Sequence, residues 1–241
     1  MKTDLCHLIA YLKAQEYSAE GPPALKIPQP IITISRQRGA NGKLIAREMA
    51  DFLTKQSRGN QPWVVVDKSL AQRVMEDHHL TQRISHFLTE EQTESIGDRV
   101  EEILGLQPSR WTMVAHMAQT MMRLAEIGRV IFVGRAANIV TAHLPQACHI
   151  RIIGSVECRV QRVMESSNLS QEEAQAQVRK ADYNRAHFVS SYFRVNVDDP
   201  LHYDLTINTD RISVEKAIHL IIQLLPASEK QMSHLQIHAL A

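Results

Sequence analysis

The stretch ITISRQRGANGKLIAREMADFL, residues 31–52, constrains the fold more than any other. Ile31, Ile32 and Ile34 make a β-branched run suited to a strand and too brief for a helix. Gly39 and Gly42 then permit turns that residues with a Cβ resist. Leu44, Ile45, Met49 and Phe52 follow at near-helical spacing, with Lys43, Arg47 and Glu48 off that face. A loop between a strand and a helix N-terminus presents backbone N–H groups and readily binds phosphate. Arg36, Arg38 and Lys43 make this loop cationic, and Gly39, Ala40, Asn41 and Gly42 form its candidate phosphate cradle. The plainer alternative is a tight strand-to-helix connection with solvated basic residues.

The phosphate-loop pattern G-x-x-x-x-G-K-[ST] puts Lys on the β/γ-phosphates and a hydroxyl on Mg²⁺. Two registers are open. With Gly42 and Lys43 as the G-K pair, Gln37 stands at the first Gly and Leu44 replaces the hydroxyl residue. With Gly39 as the anchor, Gly42 falls at the lysine position and Lys43 lies one step beyond.

A chain of 241 residues can bury one α/β domain with an insertion, or two smaller units. Its net charge of +1 demands neither a nucleic-acid nor a membrane partner. Cys6, Cys148 and Cys158 are odd in number and lack C-x-x-C spacing, as suits reduced thiols in a cytoplasmic protein. The first residues carry Asp4 and no long apolar core, so they do not read as a secretory signal. Nothing approaches the roughly 20 apolar residues that cross a bilayer.

Residues 1–30 read as a short helix and a Pro-rich linker, and 31–226 as the main domain. Further strands are expected at Trp63–Val66, Arg129–Val133, Cys148–Ile153 and Tyr203–Ile207. Residues 68–127 carry only helical patterns, which is too long for a plain crossover and implies a helical insertion. Val156, Val160 and Val163 mark a helix, Ser170 with Glu173 a capping box before another, and Val214–Leu225 the last. Residues 227–241 read as a loosely attached tail. The alternation implies a parallel sheet with helices on both faces and ligands at the strand C-terminal edge.

Gly134-Arg135 falls at a strand end, where Arg can grip phosphate bidentately and Gly allows close approach. The bland counterpart is a strand-end turn with a surface Arg. Arg159 and Arg162 stand three apart on one helix, as do Asp182 and Arg185 on the next. Such pairs are usually solvated salt bridges. Between the last two strands, however, they suit a lid near residues 162–185. Phosphoryl transfer needs such cations because its transition state spreads negative charge over several oxygens.

Four blocks in this order resemble the cytidylate kinase-like family, relatives of the nucleoside monophosphate kinases. They are ISRQRGANG, IFVGRAANIV, RVQRVM leading to ADYNRA, and DPLHYDLTINTDRIS, together running from about Ile31 to Leu225. The resemblance implies a three-layer P-loop NTPase fold, with a five-stranded parallel sheet, a helical acceptor insertion and a lid. It also implies ATP-dependent transfer to a nucleoside monophosphate, CMP or dCMP first, with ATP and Mg²⁺ as cofactors and small-molecule nucleotides as partners. By resemblance Gly134 and Arg135 match a Gly-Arg-Asp acceptor element whose Asp is replaced by Ala136. Asp182-Tyr183-Asn184-Arg185 looks like the Asp-Ser-x-Arg lid, and Arg159 and Arg162 like the donor-lid arginines. Asp67 follows a strand similar to the one entering the acceptor domain. Lys43, Arg159, Arg162 and Arg185 become the catalytic candidates, and Asp67, Arg135, Asp182 and Arg185 those for substrate. Ser35 is the Mg²⁺ candidate, with Asp67 another. A nucleotide-binding sensor with little turnover, or a kinase for a non-nucleotide small molecule, are the alternatives.

Other signals read as structural. His234/His238 and His78/His79 have no carboxylate or cysteine pattern to complete a metal site. Met113, Met117, Met121 and Leu124 make a core stripe, and Glu90, Glu91 and Glu94 a solvated helix face. No G-x-S-x-G occurs.

Overall fold

A computed structural model describes residues 29–57, 62–67 and 110–225. The N-terminal helix and most of the linker, residues 68–109 of the expected insertion, the tail and the paired histidines lie outside the described residues.

The described chain runs β1 (Ile31–Arg36), α1 (Gly42–Gln56), β2 (Val64–Val66), α2 (Arg110–Ile127), β3 (Val130–Val133) and the single turn α3 (Ala137–Val140). It continues through β4 (Ala147–Ile153), α4 (Val156–Ser167), α5 (Gln171–Phe193), a 3₁₀ turn (Pro200–His202), β5 (Leu205–Asn208) and α6 (Val214–Leu224). All five strands pair in parallel, in the order β2-β3-β1-β4-β5. The expected five-stranded parallel α/β sheet is therefore present.

The strands are β-branched because they are covered on both faces, where a solvated alternation would gain nothing. Ile32, Ile34, Ile131, Val133, Ile150 and Ile152 pack with Ile45, Met49 and Leu53 of α1 and Ile218 and Ile221 of α6. On the other face Ile31, Val64, Val66, Val130 and Phe132 meet Val114, Met117, Met121 and Leu124 of α2. Burying each such side chain contributes about 1.5–3 kcal/mol. Met117, Met121 and Leu124 are core residues, as their spacing indicates.

β5 begins at Leu205, two residues later than its sequence suggests. Tyr203 closes the preceding 3₁₀ turn by donating its N–H to Pro200 O. The capping box of α5 forms: Glu173 accepts from Ser170 N–H at 2.9 Å, and Ser170 Oγ from Glu173 N–H at 3.4 Å.

From β1 the chain crosses to β2, returns to β3, then passes over β1 to β4. The direction therefore switches at the C-terminal end of β1, the place where open α/β sheets form a crevice for ligands.

Candidate functional site

Every sequence-derived site residue among the described segments lies near this edge. The phosphate loop leaves β1 at Gln37, whose N–H donates to Ile152 O and whose side chain accepts from Gly154 N–H. Gly39 has φ 80° and Asn41 φ 60°, both left-handed. Glycine adopts this region freely and Asn tolerates it better than most. Ile45 N–H to Asn41 O is the first helical bond of α1, so the amides of Gly42, Lys43 and Leu44 precede the helical ladder. Acidic residues are missing from this first turn. The loop thus offers an anion a helix dipole and N–H groups.

The α4 arginines hold the outer side of the loop. Arg159, 4% exposed, donates to Gly154 O, to Arg38 O and to Asp182. Arg162 reaches Gly39 O at 3.4 Å, Thr209 Oγ1 at 3.1 Å and Thr209 O at 2.8 Å, and pairs with Asp210. Asp182 is the hub: it accepts Arg38 N–H at 2.7 Å and pairs with both Arg159 and Arg185. The loop lies so close to α4 that a Cβ on Gly39 would come within 2.4 Å of Arg159 O. Arg38 extends the clamp through Gln177 at 2.9 Å. Asp210 fastens the start of α4 by accepting from Ser155 N–H, and that bond holds its carboxyl below the usual range.

Lys43 takes a different direction. Its ammonium donates to Asp67, at the end of β2, at 3.0 Å, and its side chain is 52% exposed.

Gly134, Arg135 and Ala136 are all left-handed, with φ 82°, 61° and 54°. For the two non-glycine residues such conformations cost of order 1–3 kcal/mol each. The tight turn sets Arg135, 4% exposed, against a cavity of about 20 Å³. Arg36, Arg151 and Arg185 also line it, with Ser35, Asn138 and the apolar Phe188, Val189 and Val197, and no carboxylate is among the lining residues. The space holds about one water. Arg151 and Arg185 are partly neutralised by Asp198 and Asp182, which lie outside the lining, so the basic lining leaves the cavity suited to an anion.

Arg151 is the feature that reading the sequence missed. It sits inside the β4 run CHIRII, donates to Ser35 Oγ at 2.8 Å and to Asp198 at 2.6 Å, and lies over the Tyr203 ring. Its buried Nε has no hydrogen-bond partner among the described residues. A charge within an apolar strand is itself a signal, because burial demands a partner.

Mg²⁺ chemistry is tested by the donors present. Ser35 Oγ accepts from the Arg151 guanidinium, so a cation there would face another cation. Asp67 likewise faces the Lys43 ammonium, but as a carboxylate it is the donor type that Mg²⁺ takes beside substrate phosphate oxygens, once that pair opens. Among the described residues no three His, Cys, Asp or Glu side chains cluster for a metal. Burial pushes the Cys148 thiol up to about 12, which removes it as a nucleophile. No described helix is long and apolar enough to cross a membrane.

Comparison with known proteins places this geometry in context. The cytidylate kinase-like family model matches residues 31–211. A cytidylate kinase from Staphylothermus marinus is 24% identical over 94 residues, covering 39% of this chain and 52% of that protein. A uronate isomerase from Corynebacterium glutamicum is 28% identical over 93 residues, covering 39% of this chain and 18% of that protein. The chain thus spans little more than half of one curated relative and less than a fifth of the other. An uncharacterized protein from Eubacterium ventriosum shares the fold, with a TM-score of 0.60 and 21% identity over 81% of this chain and 97% of that one.

Proposed function

The chain belongs to the cytidylate kinase-like family, and from that premise we propose that it transfers a phosphoryl group from ATP to a nucleoside monophosphate, CMP or dCMP first. One observation supports this reading most: the loop amides at the start of α1 and the arginine-lined cavity share one strand-end crevice. Donor phosphates rest on the backbone of Gly39 to Gly42. Lys43, helped by Arg36 or Arg38, supplies the loop's positive charge. Arg135 holds the acceptor phosphate. An acceptor phosphate oxygen bonds to the γ-phosphorus as its bond to the β/γ-bridging oxygen breaks, releasing ADP. Arg159, Arg162 and Arg185 close on the equatorial oxygens, where charge develops. Closure requires Arg159 and Arg162 to exchange some of their present carbonyl and carboxylate partners for phosphate oxygens. Asp67, on parting from Lys43, would hold Mg²⁺, which would supply charge neutralisation to the transferring phosphates.

A coupled ADP-release assay across the nucleoside monophosphates tests the proposal. Acceptor-dependent turnover is expected, with CMP or dCMP fastest. Failure with every nucleoside monophosphate in folded protein removes this assignment, and turnover with a phosphorylated or hydroxylated small molecule instead moves the acceptor outside nucleotides.

The Lys43–Asp67 pair favours a second reading, a nucleotide sensor that binds ATP with little turnover, because this lysine is engaged across the crevice. ATP binding by calorimetry without ADP release would select it.

A further inference from the structure

The geometry points to Arg36 as the residue that replaces the phosphate-loop lysine, its side chain reaching the β/γ-phosphates from the end of β1. This rests on the proposed ATP site and names the cation within it. In G-x-x-x-x-G-K-[ST] the second Gly stands directly before the lysine. Asn41, left-handed at φ 60°, is the residue directly before α1 and has the conformation that calls for glycine. Aligned there, Asn41 fills the second Gly position, Gly42 the lysine position, and Arg36 the first Gly position. The motif's first glycine has become the cationic Arg36, and its lysine has become the small Gly42.

Packing links the two positions. Gly42 lies in α1 and is not among the left-handed glycines, so its conformation does not require glycine. A helical glycine costs about 0.5–1 kcal/mol relative to alanine. The reason for it is steric: a Cβ at 42 would come within 2.7 Å of Arg36 Cβ and 2.9 Å of Arg36 Cγ. The Arg36 stem fills the volume through which a side chain at 42 would leave the helix. Arg36 is 8% exposed and lines the cavity that Arg135 and Arg185 share. An arginine there brings a permanent charge and a bidentate fork. Lys43, by contrast, is one residue beyond the lysine position, and its ammonium lies on Asp67.

The test measures ATP affinity by calorimetry and ADP release on parent and variant full-length chains. Arg36→Met keeps the stem against Gly42 and removes the charge. In folded protein, checked by circular dichroism, it should weaken ATP binding by about ten-fold or more, and by more than Lys43→Met does. Gly42→Lys should also lose affinity, because its stem meets that of Arg36. Combining Arg36→Gly with Gly42→Lys returns the cation to the helix and should recover affinity well above Arg36→Gly alone. ATP binding by Arg36→Met at the parent's level, a larger loss in Lys43→Met, or a folded double variant no better than Arg36→Gly each overturns the inference. Should the double variant not fold, the comparison of Arg36→Met with Lys43→Met decides. A parent that binds no ATP sinks the proposed function and this assignment together, whereas a parent that binds ATP regardless of Arg36 sinks only the latter.

Discussion

The arginines of α4 and those around the cavity behave differently despite similar places in the chain. Arg159 and Arg162 spend their guanidiniums on carbonyls and carboxylates of this protein, tying the phosphate loop to α5 and to the β5 end. Arg36 and Arg135 line a cavity together with Arg151, which pairs with Asp198, and Arg185, which pairs with Asp182. In this conformation the first group holds the loop in place, while the second lines the space beside it. A guanidinium's role therefore follows from the acceptors it meets, not from its spacing on a helix.

The largest effect that would sharpen this contrast is on stability. Arg159→Ala removes a buried guanidinium from Gly154 O, Arg38 O and Asp182. Stranding those acceptors should cost about 3–5 kcal/mol, read as a lowered midpoint in urea unfolding. A shift below about 1 kcal/mol would mean that the clamp is slack and Arg159 belongs with the cavity group.

Arg135→Ala should do the reverse. Losing a charge-assisted contact should weaken acceptor use by about 10- to 150-fold, or about 1.5–3 kcal/mol, in the KM for the acceptor. Alanine keeps a Cβ at this left-handed position, so the turn strain is unchanged, and the unfolding midpoint should move less than in Arg159→Ala. Reduced ATP affinity alone would misplace the acceptor site, and circular dichroism must show that the variant is folded.

The smallest effect lies away from both groups. Burial holds His149 below its ordinary value, with Asp204 partly opposing. The unfolded chain then binds this proton more readily, so the stabilising contribution is complete above about 6.5 and falls as pH drops through that value toward the folded one. The melting temperature should decline between pH 7.5 and 5.5, and His149→Gln should flatten the decline. An equal decline in the variant would assign the effect to another group.

Much of the fold was legible because its signals are local. The β-branched runs at Ile31, Val130 and Ile150 need cover on both faces, and α1, α2 and α6 supply it. The Ser170–Glu173 box needs only four consecutive residues. The site was legible as a set of positions: glycine loop, Gly134-Arg135 turn and helical arginines all lie at the strand C-terminal edge. Their partners were not. Arg159 meets Arg38 O 121 positions away, and Arg151 meets Ser35 116 positions away.

The amino-acid sequence by itself determined the parallel α/β architecture and the cationic strand-to-helix loop, because periodicity, glycine and capping act over a few residues. Tertiary structure decided which register the loop favours and which arginines face the cavity. Those outcomes turn on Asn41 adopting φ 60°, on the Arg36 stem filling the space beside Gly42, and on Asp182 lying where two arginines and the loop meet. Charge and steric exclusion act through space, and only the folded chain brings strand ends from distant sequence within their reach.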